Sequence, residues 1–122
     1  MLPTSATAKK RLLFIDDEQA WLTVLPRLLK EYEVSCACGA EPALALLRKD
    51  CAFDVIFCDL CMPEMGGLEL FSLWSMERPD TKDLFVFMSG GETLNGISNP
   101  LLEKPLPVKK LRQFLLQRLV NA

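Results

Sequence analysis

The chain of 122 residues contains no histidine. That absence excludes Ser-His-Asp and Cys-His nucleophilic sites, HExxH zinc proteases, and a phosphoryl group carried on an imidazole of the chain itself. An excess of one charge sign is lacking too. The 14 Lys and Arg against 16 Asp and Glu leave a net charge of −2, so there is no basic footprint and nucleic acid is not an expected partner. Unbroken apolar runs last only a handful of residues, far below the roughly 18 that span a bilayer, so no membrane segment is expected. Residues 1–10 carry their positive charge at the wrong end for a secretory signal and have no apolar stretch. The five cysteines (Cys36, Cys38, Cys51, Cys58, Cys61) are odd in number, which suits a cytoplasmic protein with reduced thiols. The chain is 50% apolar and 25% charged, an ordinary globular balance, and its length suits one domain.

Short apolar runs and helical stripes alternate along the chain. Residues 1–9 are small, polar and without period, and are expected to form a flexible lead-in to a domain over 10–120. Leu12-Leu13-Phe14-Ile15 reads as a strand buried on both faces. Asp16, Asp17 and Glu18 are expected to open a helix, acids suiting its positive end, with Leu22, Leu25, Leu28, Leu29 and Tyr32 as its buried stripe and with Pro26 kinking it or removing one backbone bond. A second strand is expected over 33–38 and a short helix over 43–49. Residues 53–58 form a third strand stopped by Asp59, and a loop and a helix over 68–76 follow. Residues 84–88 form a fourth strand stopped by Ser89-Gly90-Gly91. Leu101 and Leu102 make a short fifth strand before Lys104-Pro105. Pro107 starts a last helix, with Val108, Leu111, Phe114, Leu115 and Leu119 inward. Five strands alternating with helices predict an α/β fold with a parallel sheet and helices on both faces.

In such a sheet, chemistry gathers at the carboxyl ends of the strands. Those ends carry Asp16 and Asp17, then Asp59, then Ser89, then Lys104. Each alone has a plain reading: Asp16 and Asp17 as helix caps, Ser89 as part of a turn, Lys104 as a solvated charge. Together they bring three carboxylates, a hydroxyl and an ammonium to one edge. Three carboxylates repel one another, and a hard, oxygen-seeking cation such as Mg2+ relieves that repulsion. A site of this composition suits a transferring phosphoryl group, with a carboxylate as nucleophile.

The set resembles the receiver domain of two-component response regulators, from about Arg11 to Leu119. The residues that carry the resemblance are Asp16-Asp17-Glu18, the run Asp59-Leu60-Cys61-Met62-Pro63-Glu64-Met65-Gly66-Gly67, Ser89-Gly90 and Lys104-Pro105. The resemblance implies a flavodoxin-like (βα)5 fold with strand order 2-1-3-4-5, an order familiar from this family. It implies Asp59 as the phosphoacceptor. Asp17, Asp59 and the backbone carbonyl of Cys61 would be direct Mg2+ ligands, with Asp16 acting mainly through a metal-bound water. Ser89 would donate to a phosphoryl oxygen, and Lys104 would pair with Asp59 and then with the phosphoryl group. The Lys104-Pro105 bond is expected to be cis. The implied partners are a sensor histidine kinase or a histidine phosphotransfer protein as donor, and a downstream protein as reader. Such a domain catalyses its own phosphorylation and hydrolysis without being an enzyme in the ordinary sense.

Several positions depart from the family. Ser89 and Lys104 are separated by 14 residues, short of the family's usual spacing by about seven, or about two helical turns. The fourth helix is therefore expected to be lost or cut to a single turn. Apolar surface of the fourth strand would then be left partly uncovered, remodelling the face of strand 4, strand 5 and the last helix for a partner or for self-association. The switch position holds Leu101 where an aromatic is usual. Positions 61 and 91 offer no carboxylate or amide to orient a water, which favours slow dephosphorylation. Cys58-Asp59-Leu60-Cys61 is formally CxxC, but strand alternation separates the thiols and a zinc set is not completed. Glycines at 91 and 96 mimic a phosphate loop, yet Ile97 stands where its lysine belongs. Two other readings remain: a docking or dimerisation module indifferent to phosphorylation, and a piece of a hybrid sensor kinase. Nothing after Leu119 suggests a DNA-binding output.

Overall fold

A computed structural model describes residues 9–120. The lead-in expected over 1–9 therefore lies outside the described residues except for Lys9, whose ammonium donates to the Lys30 carbonyl at 2.7 Å. The elements are β1 (Arg11–Asp16), α1 (Gln19–Leu28), β2 (Glu33–Cys38), α2 (Ala40–Lys49), β3 (Val55–Asp59), α3 (Gly67–Glu77), a 3-10 helix (Pro79–Leu84), β4 (Phe85–Ser89), β5 (Leu101–Glu103) and α4 (Val108–Val120). All strand pairings are parallel, in the order β2-β1-β3-β4-β5. The expected fold class and strand order are thus observed.

The doubly apolar strands explain the layering. Side chains alternate across a strand, so β1 sends Leu13 and Ile15 to one face and Leu12 and Phe14 to the other. The first face meets α2 and α3 through Ala43, Leu44, Leu47, Leu70 and Trp74. The second meets α1 and α4 through Leu22, Leu25, Leu111 and Leu115. Phe14 stacks on Phe57 at 4.5 Å between ring centroids. Fully burying such a ring contributes about 1.5–3 kcal/mol.

Three local expectations are corrected. The acids at 16–18 do not form the first helical turn. Asp16 is the last residue of β1 and fully buried, its carboxylate accepts the Glu18 amide at 3.0 Å, and α1 starts only at Gln19. The stripe of α1 is shorter than its spacing suggests. The helix ends at Leu28, which is exposed, and Leu29 turns inward just beyond it. Pro26 lies inside the helix and removes one backbone bond, one of its two expected effects. It lacks the amide that would bond the Leu22 carbonyl, and the Cys36 thiol donates there at 3.4 Å. The third strand begins two residues later than expected, because Asp54 is tied to β1: its amide donates to the Arg11 carbonyl and its carboxylate accepts the Arg11 amide.

The fourth correction concerns the short crossover. Residues 90–100 contain no helix, as the spacing predicts. The strand beneath is not uncovered, however: every residue of β4 is buried. Leu94 and Ile97 fold back onto the core, and Phe71 packs edge-on against Phe85 and Phe87 at 5.2 Å. The Asn99 side-chain Nδ2 donates to the carbonyls of Lys82 and Phe85, both at 2.9 Å, and pins the returning chain before β5.

Candidate functional site

Because all strands run parallel, their carboxyl ends meet at one edge, and the core fixes what stands there. Asp16 closes β1, Asp59 closes β3 and Ser89 closes β4, and all three are buried. Asp17 is the exposed member of the group. Carboxylate oxygens of Asp16, Asp17 and Asp59 lie within 4.8 Å of one another. Lys104, one residue past β5, reaches between them, with Nζ 2.8 Å from Asp16 Oδ2 and 3.2 Å from Asp59 Oδ2. The bond that follows, Lys104-Pro105, is cis as expected.

The position of Asp59 depends on a glycine. A Cβ added at Gly67 would lie 2.3 Å from the Asp59 carbonyl oxygen. Only glycine lets the start of α3 approach the end of β3 so closely. The intervening loop is drawn tight by the Gly67 amide donating to the Leu60 carbonyl at 3.0 Å, and Glu64 takes a left-handed φ of 70° within it.

The electrostatics follow from this crowding. Burial, together with the neighbouring charge of Asp16, pushes the Asp59 carboxyl above the ordinary range, and Lys104 and the Cys61 amide offset only part of that. For Lys104, burial pulls the ammonium down, but its bonds to Asp16 and Asp59 outweigh that and hold it above its ordinary value. Three acidic side chains against one ammonium leave a deficit of positive charge. The donors grouped here are all carboxylate oxygens. The set therefore fits a hard divalent cation such as Mg2+.

The structure adds a residue that the sequence reading passed over. The Ser89 hydroxyl lies 2.6 Å from Glu92 Oε1 and 3.0 Å from the Glu92 carbonyl, and it accepts the Gly91 amide at 3.0 Å. The other carboxylate oxygen of Glu92 accepts the Cys61 thiol at 3.4 Å. Positions 61 and 91 carry no carboxylate, as read, but the carboxylate at position 92 reaches both the Cys61 thiol and the Ser89 hydroxyl. The Ser89 hydrogen bond holds the Glu92 carboxyl below its ordinary range, and the bond to Glu92 raises the Cys61 thiol. In sequence its signal is only a carboxylate three residues after Ser89, beyond the Gly90-Gly91 pair.

Leu101 pairs with Phe87 in the sheet and is half-buried. It lines a small cavity of about 220 Å3 together with Ser89, Glu92 and Glu103. The two thiols of the CxxC run part company. Cys58 is buried in the core and raised by that burial, while Cys61 is exposed and turns to Glu92. All five cysteines are free.

A family model described as the response regulator receiver domain matches residues 12–115. The chain belongs to this family. It is 36% identical over 114 residues to the two-component response regulator ARR11 of Arabidopsis thaliana, covering 84% of this chain and 21% of that protein. The receiver domain of the hybrid histidine kinase CckA is similar in structure, with a TM-score of 0.74, 32% identity and coverage of 89% of this chain and 98% of that one. The chemotaxis protein CheY4 of Vibrio cholerae aligns with a TM-score of 0.78, 26% identity and coverage of 90% and 98%. The chain spans about a fifth of the length of the curated relatives it matches. Receiver domains are signalling modules rather than conventional enzymes. Among the described residues, no helix is long and apolar enough to cross a membrane.

Proposed function

We propose that this receiver domain takes a phosphoryl group onto Asp59 from a phosphohistidine on a sensor histidine kinase or a histidine phosphotransfer protein, and that the modified face changes the binding of a protein partner in the cytoplasm. One observation carries the reading: a buried carboxylate at a strand end, 3.2 Å from a lysine ammonium and grouped with two further aspartates. Asp17, Asp59 and the Cys61 carbonyl would hold Mg2+ directly, with Asp16 behind them. When bound, the ion supplies positive charge to the carboxylates and the phosphoryl oxygens.

The chain's own groups do the rest. An Asp59 carboxylate oxygen attacks phosphorus as the P–N bond to the donor imidazole breaks, and the electron pair leaves on that nitrogen, which takes a proton from solvent. Lys104 turns from Asp59 toward the phosphoryl oxygens and balances the added charge. Ser89, buried at the end of β4, would donate its hydroxyl to the same group. In the return step water attacks phosphorus, inorganic phosphate leaves, and the Asp59 carboxylate is restored.

The test is intact mass after incubation with acetyl phosphate and Mg2+. One phosphoryl group is expected on the native chain, and none on Asp59→Ala or after chelation. A native chain that gains no mass and binds no beryllofluoride would overturn the reading. The helix-free stretch between β4 and β5 favours one alternative, a docking module indifferent to phosphorylation; self-association unaffected by beryllofluoride would mark it.

A further inference from the structure

Glu92 has no part in the reading above, yet it holds a group on which that reading depends. A serine hydroxyl has one proton to donate. For Ser89, the two acceptors in reach both belong to Glu92, and Oε1 at 2.6 Å stands closer than the main-chain carbonyl at 3.0 Å, so the carboxylate is the stronger claimant on the Ser89 proton. A phosphoryl oxygen on Asp59 would need that same proton. Glu92 also reaches across to the Cys61 thiol, so one side chain bridges the loop after β4 and the loop after β3. It stands near the start of the helix-free stretch, two residues before Leu94, which packs on the core.

We propose that Glu92 is a catch that holds the Ser89 hydroxyl in the resting domain, and that a phosphoryl group on Asp59 releases it by taking that hydroxyl over. This rests on Asp59 being the acceptor. The resting carboxylate competes with the phosphoryl oxygens for one donor, so it weakens their binding. Once Ser89 turns away, Glu92 loses its partner on β4 and the Gly91 amide loses its acceptor. The stretch that stands in place of a fourth helix is then untied at its first residues. Residues 90–97 thus become the segment that reports the state of Asp59, a task for which Leu101 offers no ring. Glu92 is a positioning residue: it acts through Ser89 and touches no reacting atom.

The test is beryllofluoride binding to the full chain in Mg2+, followed by tryptophan fluorescence. Trp21 is a suitable reporter, its ring 5.8 Å from the Lys104 ammonium. Glu92→Ala should bind beryllofluoride about 3- to 10-fold more tightly than the native chain, a hydrogen bond to a charged but exposed group being lost from the competing state. Glu92→Gln keeps an acceptor oxygen and should gain less. Affinity for Mg2+ alone should not change. In a Ser89→Ala background the Glu92→Ala gain should vanish, because there is no hydroxyl left to release. In the native chain, beryllofluoride should speed hydrogen exchange at the Gly91 amide.

Equal or weaker binding by Glu92→Ala would overturn the catch. So would a gain that persists in full without the Ser89 hydroxyl, since that marks simple charge repulsion. In both cases the native chain still binds, and the acceptor reading stands. Failure of the native chain to bind beryllofluoride at all would overturn the acceptor reading and the catch with it.

Discussion

On the β1–β3 side of the sheet, the strand ends are fixed by close backbone packing; on the β4–β5 side, the chain returns through a loop held by a few side chains. At Gly67 there is no room for even one carbon, because α3 lies against the backbone of Asp59. At Gly90 an added carbon would meet nothing within 4 Å. The acidic cluster sits on the close-packed side. Ser89 closes the buried strand β4, and Glu92 sits just past it, where that packing gives way. The contrast teaches that the positions of the acceptor and of Ser89 are set by the core, whereas the group that holds Ser89 stands on the part of the chain least constrained by the core.

The largest expected effect sharpens that contrast. Gly67→Ala should destabilise the fold by about 3 kcal/mol, since the new Cβ can only be accommodated by moving backbone. Gly90→Ala should stay within about 0.5 kcal/mol. Urea unfolding of the two variants measures both, and equal losses would break the comparison. Next, Asn99→Ala removes two hydrogen bonds that anchor the loop and should cost about 1–2 kcal/mol while leaving Mg2+ binding at the acidic cluster unchanged. Parallel unfolding and metal titrations check this.

A smaller effect concerns pH. The Asp59 carboxyl is raised in the folded state, chiefly by burial and then by Asp16. A raised acid stabilises the fold at low pH and loses that contribution as pH rises through its folded value. Asp59→Asn should therefore be more stable than the native chain at neutral pH without metal, with the gap closing below the ordinary carboxyl range. Lys104 keeps Asp16 as its partner in the variant. Added Mg2+ should raise the native melting temperature and reverse the order of the two. The smallest effect separates the thiols. Cys61 and Cys38 should alkylate in the folded protein, whereas Cys58 should react only on unfolding. Mass spectrometry after a short pulse of iodoacetamide reads this directly.

Much of the close-packed side was legible in the sequence, because its signals are local. Runs such as Leu12-Leu13-Phe14-Ile15 and Val55-Ile56-Phe57-Cys58 must be buried on both faces, and an aspartate directly after each has one edge to occupy. The strand order came from family resemblance rather than from the runs themselves. The loop side was legible only in part. Its length showed that no full helix fits. Leu94 and Ile97 have no period to reveal that they reach the core, and whether they cover β4 depends on how the chain returns in space. Glu92 is illegible for a related reason: its carboxylate meets Ser89 only because the loop turns back after β4, which no local pattern marks. Asp16 misled in the opposite way, its place beside two other acids suggesting a helix start when its burial belongs to β1.

The shortest strand of the sheet is also an open edge. β5 has three residues, with Pro100 directly before it and Pro105 two residues past its end. An unpaired strand edge invites another chain to add to the sheet, and natural proteins blunt that hazard with brevity and with prolines. Here both devices stand together beside a stretch of chain that forms no helix. A second molecule would find little backbone on which to build, so the domain can do without its fourth helix and still resist edge-to-edge aggregation.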